Sequence, residues 1–113
     1  MKQVTYAIAI IVRPAGPTHE FLLVRRSTGK YMGDTWQFIA GGVEPNEPAW
    51  RAAVREVKEE TNLNVIELYR LSRLVRFYRD DNESLNTAIP FAALVADDGV
   101  VTITHGNTEY RWI

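Results

Sequence analysis

The chain has 113 residues, 46% hydrophobic and 24% charged, with a formal net charge of −1 and no cysteine. That is an ordinary globular composition for one small domain over residues 1–113, with a single core and no second domain expected. It excludes disulfides, thiol nucleophiles and zinc–cysteine centres, and it provides no basic field for nonspecific nucleic-acid binding.

The apolar run near the N-terminus, Ala7 to Val12, is too short to span a bilayer and lacks a signal-peptide layout. A cytoplasmic location without a membrane partner is therefore the default expectation. Val4 to Val12, rich in valine, isoleucine and tyrosine, predicts a strand that ends in the breaker cluster Arg13-Pro14-Ala15-Gly16-Pro17. Glu20 to Arg26 predicts the returning arm of a hairpin. Adjacent strand residues face opposite sides, so only one of Arg25 and Arg26 can enter a shared cleft, and either serves equally well as a surface charge.

Ser27 to Asp34 is polar and predicts a loop, after which Trp36-Gln37-Phe38-Ile39 predicts a short strand running into Gly41-Gly42. Trp36 and Phe38 are two apart and share a face, expected to be core, with a wall of a base pocket as the other reading.

From Gly41 to Leu63 a glycine turn feeds an acidic helix. Pro48 suits the first helical position, where its missing N–H goes unbonded anyway, and Asn46 or Glu47 can cap the N–H groups that follow. Asn62, the non-glycine residue that best tolerates a left-handed backbone, predicts the stop. Glu56, Glu59 and Glu60 fall at i, i+3 and i+4 within an arc of roughly 100°. Ala53, Val54, Val57 and Thr61 form the neighbouring apolar stripe, so the helix can pack on a sheet while its acidic edge lines a cleft. An acidic face can simply be solvated. Behind a glycine turn, however, clustered carboxylates are also what a hard divalent cation requires.

Asn64 to Arg79 and Asn86 to Ala96 predict a long hairpin around the turn cluster Asp80-Asp81-Asn82-Glu83-Ser84, with Pro90 marking an edge or a bulge. Another turn at Asp97-Asp98-Gly99 precedes Val100 to Thr104 and a last segment ending Glu109-Tyr110-Arg111-Trp112-Ile113. Trp50 falls beside Arg51 and Arg55, off the apolar stripe, where a large exposed aromatic can mark an interface. The order of strands, helix and strands predicts an α/β fold, a mixed sheet with a helix packed on it.

The positions Gly41, Glu47, Arg55, Glu56, Val57, Glu59, Glu60 and Leu63 resemble the Nudix box, G-x5-E-x7-R-E-U-x-E-E-x-G-U with U aliphatic. Only the second glycine departs, replaced by Asn62, which keeps the left-handed turn. The resemblance implies a Nudix-like mixed β-sheet sandwich with one principal helix, and a C-terminal helix that is absent after Ile113. A fragment, a homodimer or an unusual packing would each account for that absence. It further implies Mg2+ or Mn2+ held by Glu56, Glu59, Glu60 and the carbonyl of Ala40. Arg55 and Glu47 would fix the cluster, and Glu56 is the choice of base. Arg26, Gly41 and Gly42 would meet the substrate. Some relatives take a further acid from a loop near the last strand; Glu109 is nearest here, with Asp81 or Glu83 as alternatives.

The implied activity is hydrolysis of a diphosphate linkage in a small-molecule nucleotide, giving a monophosphate and pyrophosphate. The Trp-Gln-Phe strand, Asn86-Thr87 and the Tyr-Arg-Trp end are similar to the small nucleoside- and pterin-triphosphate pyrophosphohydrolases. Dinucleoside polyphosphates and capped RNA are alternatives, the RNA weakened by the missing basic excess. A non-catalytic nucleotide-sensing domain is another, although such domains commonly lose box carboxylates and none is lost here.

Overall fold

The structure is a computed structural model that describes residues 1–104 and 106–113. Strand β1 (Lys2–Ala15) alternates, with Ala7, Ala9 and Ile11 buried and the residues between them half-buried. It continues through the expected breakers: Val12 to Ala15 stay paired with Phe21 to Thr18 of β2 (Thr18–Arg26), and the turn shrinks to Gly16-Pro17. Gly16 makes this possible by adopting φ +61°, a conformation open to glycine without strain.

One edge of β1 pairs antiparallel with β4 (Ile39–Gly42) through Tyr6 to Ala9, which brings the glycine turn into the middle of the sheet. The other edge runs parallel to β7 (Ser84–Leu94) from Lys2 to Val12. Two short strands, β5 (Glu67–Arg70) and β6 (Val75–Arg79), share the far edge of β7. The outer half of β2 leaves β1 and pairs with β3 (Trp36–Gln37) and β8 (Asn107–Trp112). The result is a mixed sheet with one helix, as expected.

Pro90 does not mark an edge. It is buried inside β7, a central strand. Its carbonyl accepts from Leu71 N–H at 3.3 Å, so its missing donor faces the gap between β5 and β6, where no ladder bond is asked of it. The interruption sits in the partner strands.

Helix α1 (Ala49–Thr61) follows Pro48, which is extended at φ −68°, ψ 146° and occupies the cap position, one residue before its expected place. Neither Asn46 nor Glu47 caps the helix, since no side chain bonds its first N–H groups. Asn62 ends it as expected, at φ 62° with its N–H on the Lys58 carbonyl. The buried stripe is Ala52, Ala53, Val57 and Thr61, with Val54 only half-buried, so the packed face is rotated slightly toward Ala52. The helix rests on β1, β4 and β7. Its Val57 joins Ile11, Leu22, Ile39, Leu63, Phe91 and Val95 in the core, where a large apolar side chain stabilises the fold by about 1.5–3 kcal/mol.

Trp50 is 50% exposed and lies against the Arg51 guanidinium, as its helical angle predicts. Beyond β7, Ile66, Tyr69, Leu74 and Tyr78 are also exposed. Among the described residues, no helix is long and apolar enough to cross a membrane.

Candidate active site

The chain leaves β4 at Gly42 and turns at Glu44, whose carbonyl accepts from Glu47 N–H at 3.1 Å. The Glu44 N–H in turn donates to Glu47 Oε1 at 3.0 Å. This fold-back sets the Glu47 carboxylate in front of α1, where Arg55 grips it through two parallel bonds, Nε to Oε2 and Nη2 to Oε1, both 2.9 Å. Nη2 also donates to the Gly42 carbonyl at 2.9 Å, and Nη1 to Glu56 Oε1 at 2.8 Å and Glu59 Oε2 at 3.3 Å. Every N–H direction of the guanidinium thus has an acceptor, a geometry lysine cannot supply. The Arg55 bonds, then the Glu44 N–H, hold the Glu47 carboxyl down at about 2, and Arg55 itself is held firmly charged.

Glu56 lies flat on the backbone of Gly41. A Cβ added there would overlap the Glu56 carboxyl carbon and Oε1, so Gly41 is required for the space it leaves. One turn further on, Glu60 is half-buried between Glu56 and β8. Its Oε1 accepts from Asn107 Nδ2 at 3.4 Å, while its Oε2 is buried with no hydrogen-bond partner among the described residues. Burial, then the neighbouring Glu56 carboxylate, push its carboxyl up to about 8. Glu60 is therefore not part of a solvated face, the plainer of the two readings of its spacing.

Glu59 is 57% exposed and turned toward Arg55. Among the described residues, no three acidic or histidine side chains enclose a cation as they stand. The fit to a hard divalent cation rests instead on the orphaned Glu60 oxygen, the adjacent Glu56 and the oxygen chemistry of the set, which includes the Ala40 carbonyl.

Beside Ala40 and Gly41 opens a cavity of about 640 Å³, walled by Tyr6, Tyr31, Phe77, Arg26 and Arg79 among others. The β2 register separates the two arginines as expected. Arg26 lines the cavity, its Nε buried and without a hydrogen-bond partner among the described residues, whereas Arg25 faces away toward Glu109 at 3.3 Å and Asp34 at 3.7 Å. Glu109, paired opposite Arg25, shares that outer face and does not join the cluster. Asp81 is spent on Arg79, at 3.0 and 2.6 Å, and Glu83 on the Tyr78 hydroxyl. The β8 residue that reaches the acidic helix is Asn107, opposite Arg26.

Trp36 and Phe38 are not core. Gln37 is paired with buried Val24 and precedes buried Ile39 by two, so Gln37 and Ile39 take the inner face. Trp36 takes the outer one, 4.9 Å from Arg111, and is also among the residues that line the cavity, the other reading its position allowed, while Phe38 is exposed. The Gln37 amide is held by Thr35 Oγ1 at 2.6 Å and the Met32 carbonyl at 3.3 Å. Sequence reasoning missed Asn107, Gln37, Tyr6, Phe77 and Arg79. For Tyr6 the alternation with Ala7 and Ala9 signalled its face but not the cavity beyond it.

A family model described as the NUDIX domain matches residues 2–113. The asymmetrical bis(5'-nucleosyl)-tetraphosphatase of Caenorhabditis elegans is 30% identical over 105 residues, covering 91% of this chain and 73% of that protein. An RNA pyrophosphohydrolase of Rhodopseudomonas palustris is 48% identical over 46 residues, 38% of this chain, and the match spans 27% of that protein's length. Among solved structures, the MutT protein from Methanosarcina mazei superposes with a TM-score of 0.83 at 27% identity, over 99% of this chain and 77% of that one.

Proposed function

Because the chain belongs to the NUDIX domain family, we propose that it is a pyrophosphohydrolase dependent on Mg2+ or Mn2+. Its substrate is a nucleoside triphosphate or a related nucleoside-diphosphate-linked compound, and its products are a monophosphate and pyrophosphate. The observation that carries this reading is the buried Glu60 oxygen, without a hydrogen-bond partner among the described residues, beside a Glu56 that lies against Gly41, which lines a cavity with aromatic and cationic walls. Glu56, Glu59, Glu60 and the Ala40 carbonyl would hold the cation. When bound, it neutralises phosphate charge and lowers the pKa of a coordinated water.

The chain's own residues do the rest. Tyr6, Tyr31 and Phe77 offer faces against which a base can stack, and Arg26 answers the phosphate charge. Arg55 holds one Glu56 oxygen, leaving the other to take the proton of the attacking water. Water adds to phosphorus, the bond to the bridging oxygen breaks, and pyrophosphate departs.

A dinucleoside tetraphosphate is the second reading, supported by the name of the worm relative, of which the chain covers most. Retention of every box carboxylate weighs against a sensing domain without catalysis. The test is a panel of nucleotides with Mg2+ or Mn2+, with phosphate measured with and without added pyrophosphatase and the nucleotide products separated. Phosphate that depends on pyrophosphatase supports the first reading, and cleavage confined to dinucleoside polyphosphates supports the second. No turnover across the panel with either cation overturns both.

A further inference from the structure

We infer that Asn107 is a positioning residue for the acidic helix: through its side-chain N–H on β8, it fixes the rotation of the Glu60 carboxylate and so aims the free Glu60 oxygen at the cation. This rests on the reading above that Glu60 is a cation ligand.

The two groups are 47 positions apart and meet only because β8 pairs with β2 beside the end of α1. Asn107 is buried, and Gly106, just before it, accepts from Ser27 N–H at 3.1 Å while the Asn107 N–H is tied to the Thr104 carbonyl at 3.0 Å. Its backbone is therefore pinned from two sides, and its amide has little room to turn. The atom of Asn107 that faces Glu60 Oε1 is its amide nitrogen, so Asn107 donates and the carboxyl oxygen accepts. With Oε1 engaged, Oε2 is the Glu60 oxygen left for a ligand, and it is the one the structure leaves buried without a partner. Along its own helix Glu60 faces the Glu56 carboxylate, and the amide donor that reaches it comes from another element, β8. Glu109, the acid expected from the last strand, is turned to the other face. The last strand thus contributes a neutral donor where a third carboxylate would add repulsion.

Residues that orient metal ligands typically change affinity about 10–100-fold when removed. The experiment is a titration of the full chain with Mn2+, following free Mn2+ by its paramagnetic resonance signal, for the parent, Asn107→Leu and Asn107→Ser, with thermal melts to confirm folding. Leucine keeps the volume without a donor, and serine is a small donor too short to reach, so either variant reads the effect if the other fails to fold. The expected result is Mn2+ binding weakened about 10-fold or more, with kcat returning to within about twofold of the parent at saturating metal. In a Glu60→Gln background, the same changes should add nothing. Binding within about twofold of the parent in a folded variant overturns the inference and leaves the hydrolase reading intact, because the parent still binds. A parent that binds no Mn2+ overturns both. A parent that binds Mn2+ in an Asn107-dependent way but hydrolyses no nucleotide leaves the inference standing and removes the activity.

Discussion

Glu47 and Glu60 carry the same carboxyl group at opposite ends of one motif, and the fold treats them in opposite ways. Glu47 receives a two-pronged guanidinium and a backbone N–H, and its carboxyl is held at about 2. Among the described residues Glu60 has one side-chain donor, a like charge beside it and a buried oxygen without a partner, and it is pushed to about 8. Arg55 accounts for the difference. It spends its donors on Glu47, the Gly42 carbonyl, Glu56 and Glu59, and none on Glu60. The satisfied end is built to stay put, and the unsatisfied end is built to receive something positive.

The comparison breaks first at Glu56, which belongs to both ends. Glu56→Gln keeps a hydrogen bond from Arg55 but cannot take a proton, so turnover should fall about 10²–10⁴-fold. Steady-state rates at saturating Mg2+ read this directly; a variant within a few-fold of the parent would remove Glu56 from the proton transfer.

Next is the satisfied end. Arg55→Lys retains a charge but loses the fork, freeing Glu47 and the Gly42 carbonyl together. The expectation is a stability loss of about 1–3 kcal/mol by denaturant titration and an activity loss on the order of 10–100-fold. If lysine supports both at parental levels, the planar geometry is irrelevant.

Gly41→Ala is gentler, because its new methyl meets the movable end of Glu56 and not a backbone wall. Stability should drop by about 1–3 kcal/mol, and the Mg2+ concentration for half-maximal rate should rise as Glu56 is pushed aside. An unchanged Mg2+ requirement would show that Glu56 does not need its seat on Gly41. The smallest effect belongs to Glu109→Gln, on the far face. Its exposed pair with Arg25 is worth about 1 kcal/mol or less, and turnover should match the parent; a large rate loss would bring Glu109 back to the site.

Much of this was legible in the sequence where the determinants are local. The helix, the left-handed stop at Asn62 and the i, i+3, i+4 acidic edge follow from period and turn chemistry, and all three are present. What failed was non-local. The tetrad Trp36-Gln37-Phe38-Ile39 alternates equally well with either pair inward, and Val24 and the β1–β4 pairing decide it. Pro90 reads as an edge residue because the break it needs lies in the strands opposite. Glu109 and Asn107 differ by two positions and would share a face in a regular strand. The irregularity in β2–β8 pairing at Arg25/Arg26 separates them.

The most direct test compares thermal melts of the parent and Glu60→Gln across pH, with a chelator and with Mg2+, alongside turnover against Mg2+ concentration. For Glu60 the folded value, about 8, lies above the ordinary 4.5, so its contribution to stability is present below pH 4.5 and lost as pH rises through 8. For Glu47 the folded value, about 2, lies below the ordinary 4.5; its contribution is present above pH 4.5 and lost as pH falls through 2. The account predicts that metal-free parent protein weakens between pH 4.5 and 8, that Mg2+ restores it there, and that Glu60→Gln abolishes both the decline and the rescue while losing turnover. The acid-side decline governed by Glu47 should survive in both proteins. A Glu60→Gln variant that gains the parent's full stabilisation from Mg2+ and hydrolyses at the parent's rate would contradict the account, leaving the acidic helix a solvated surface.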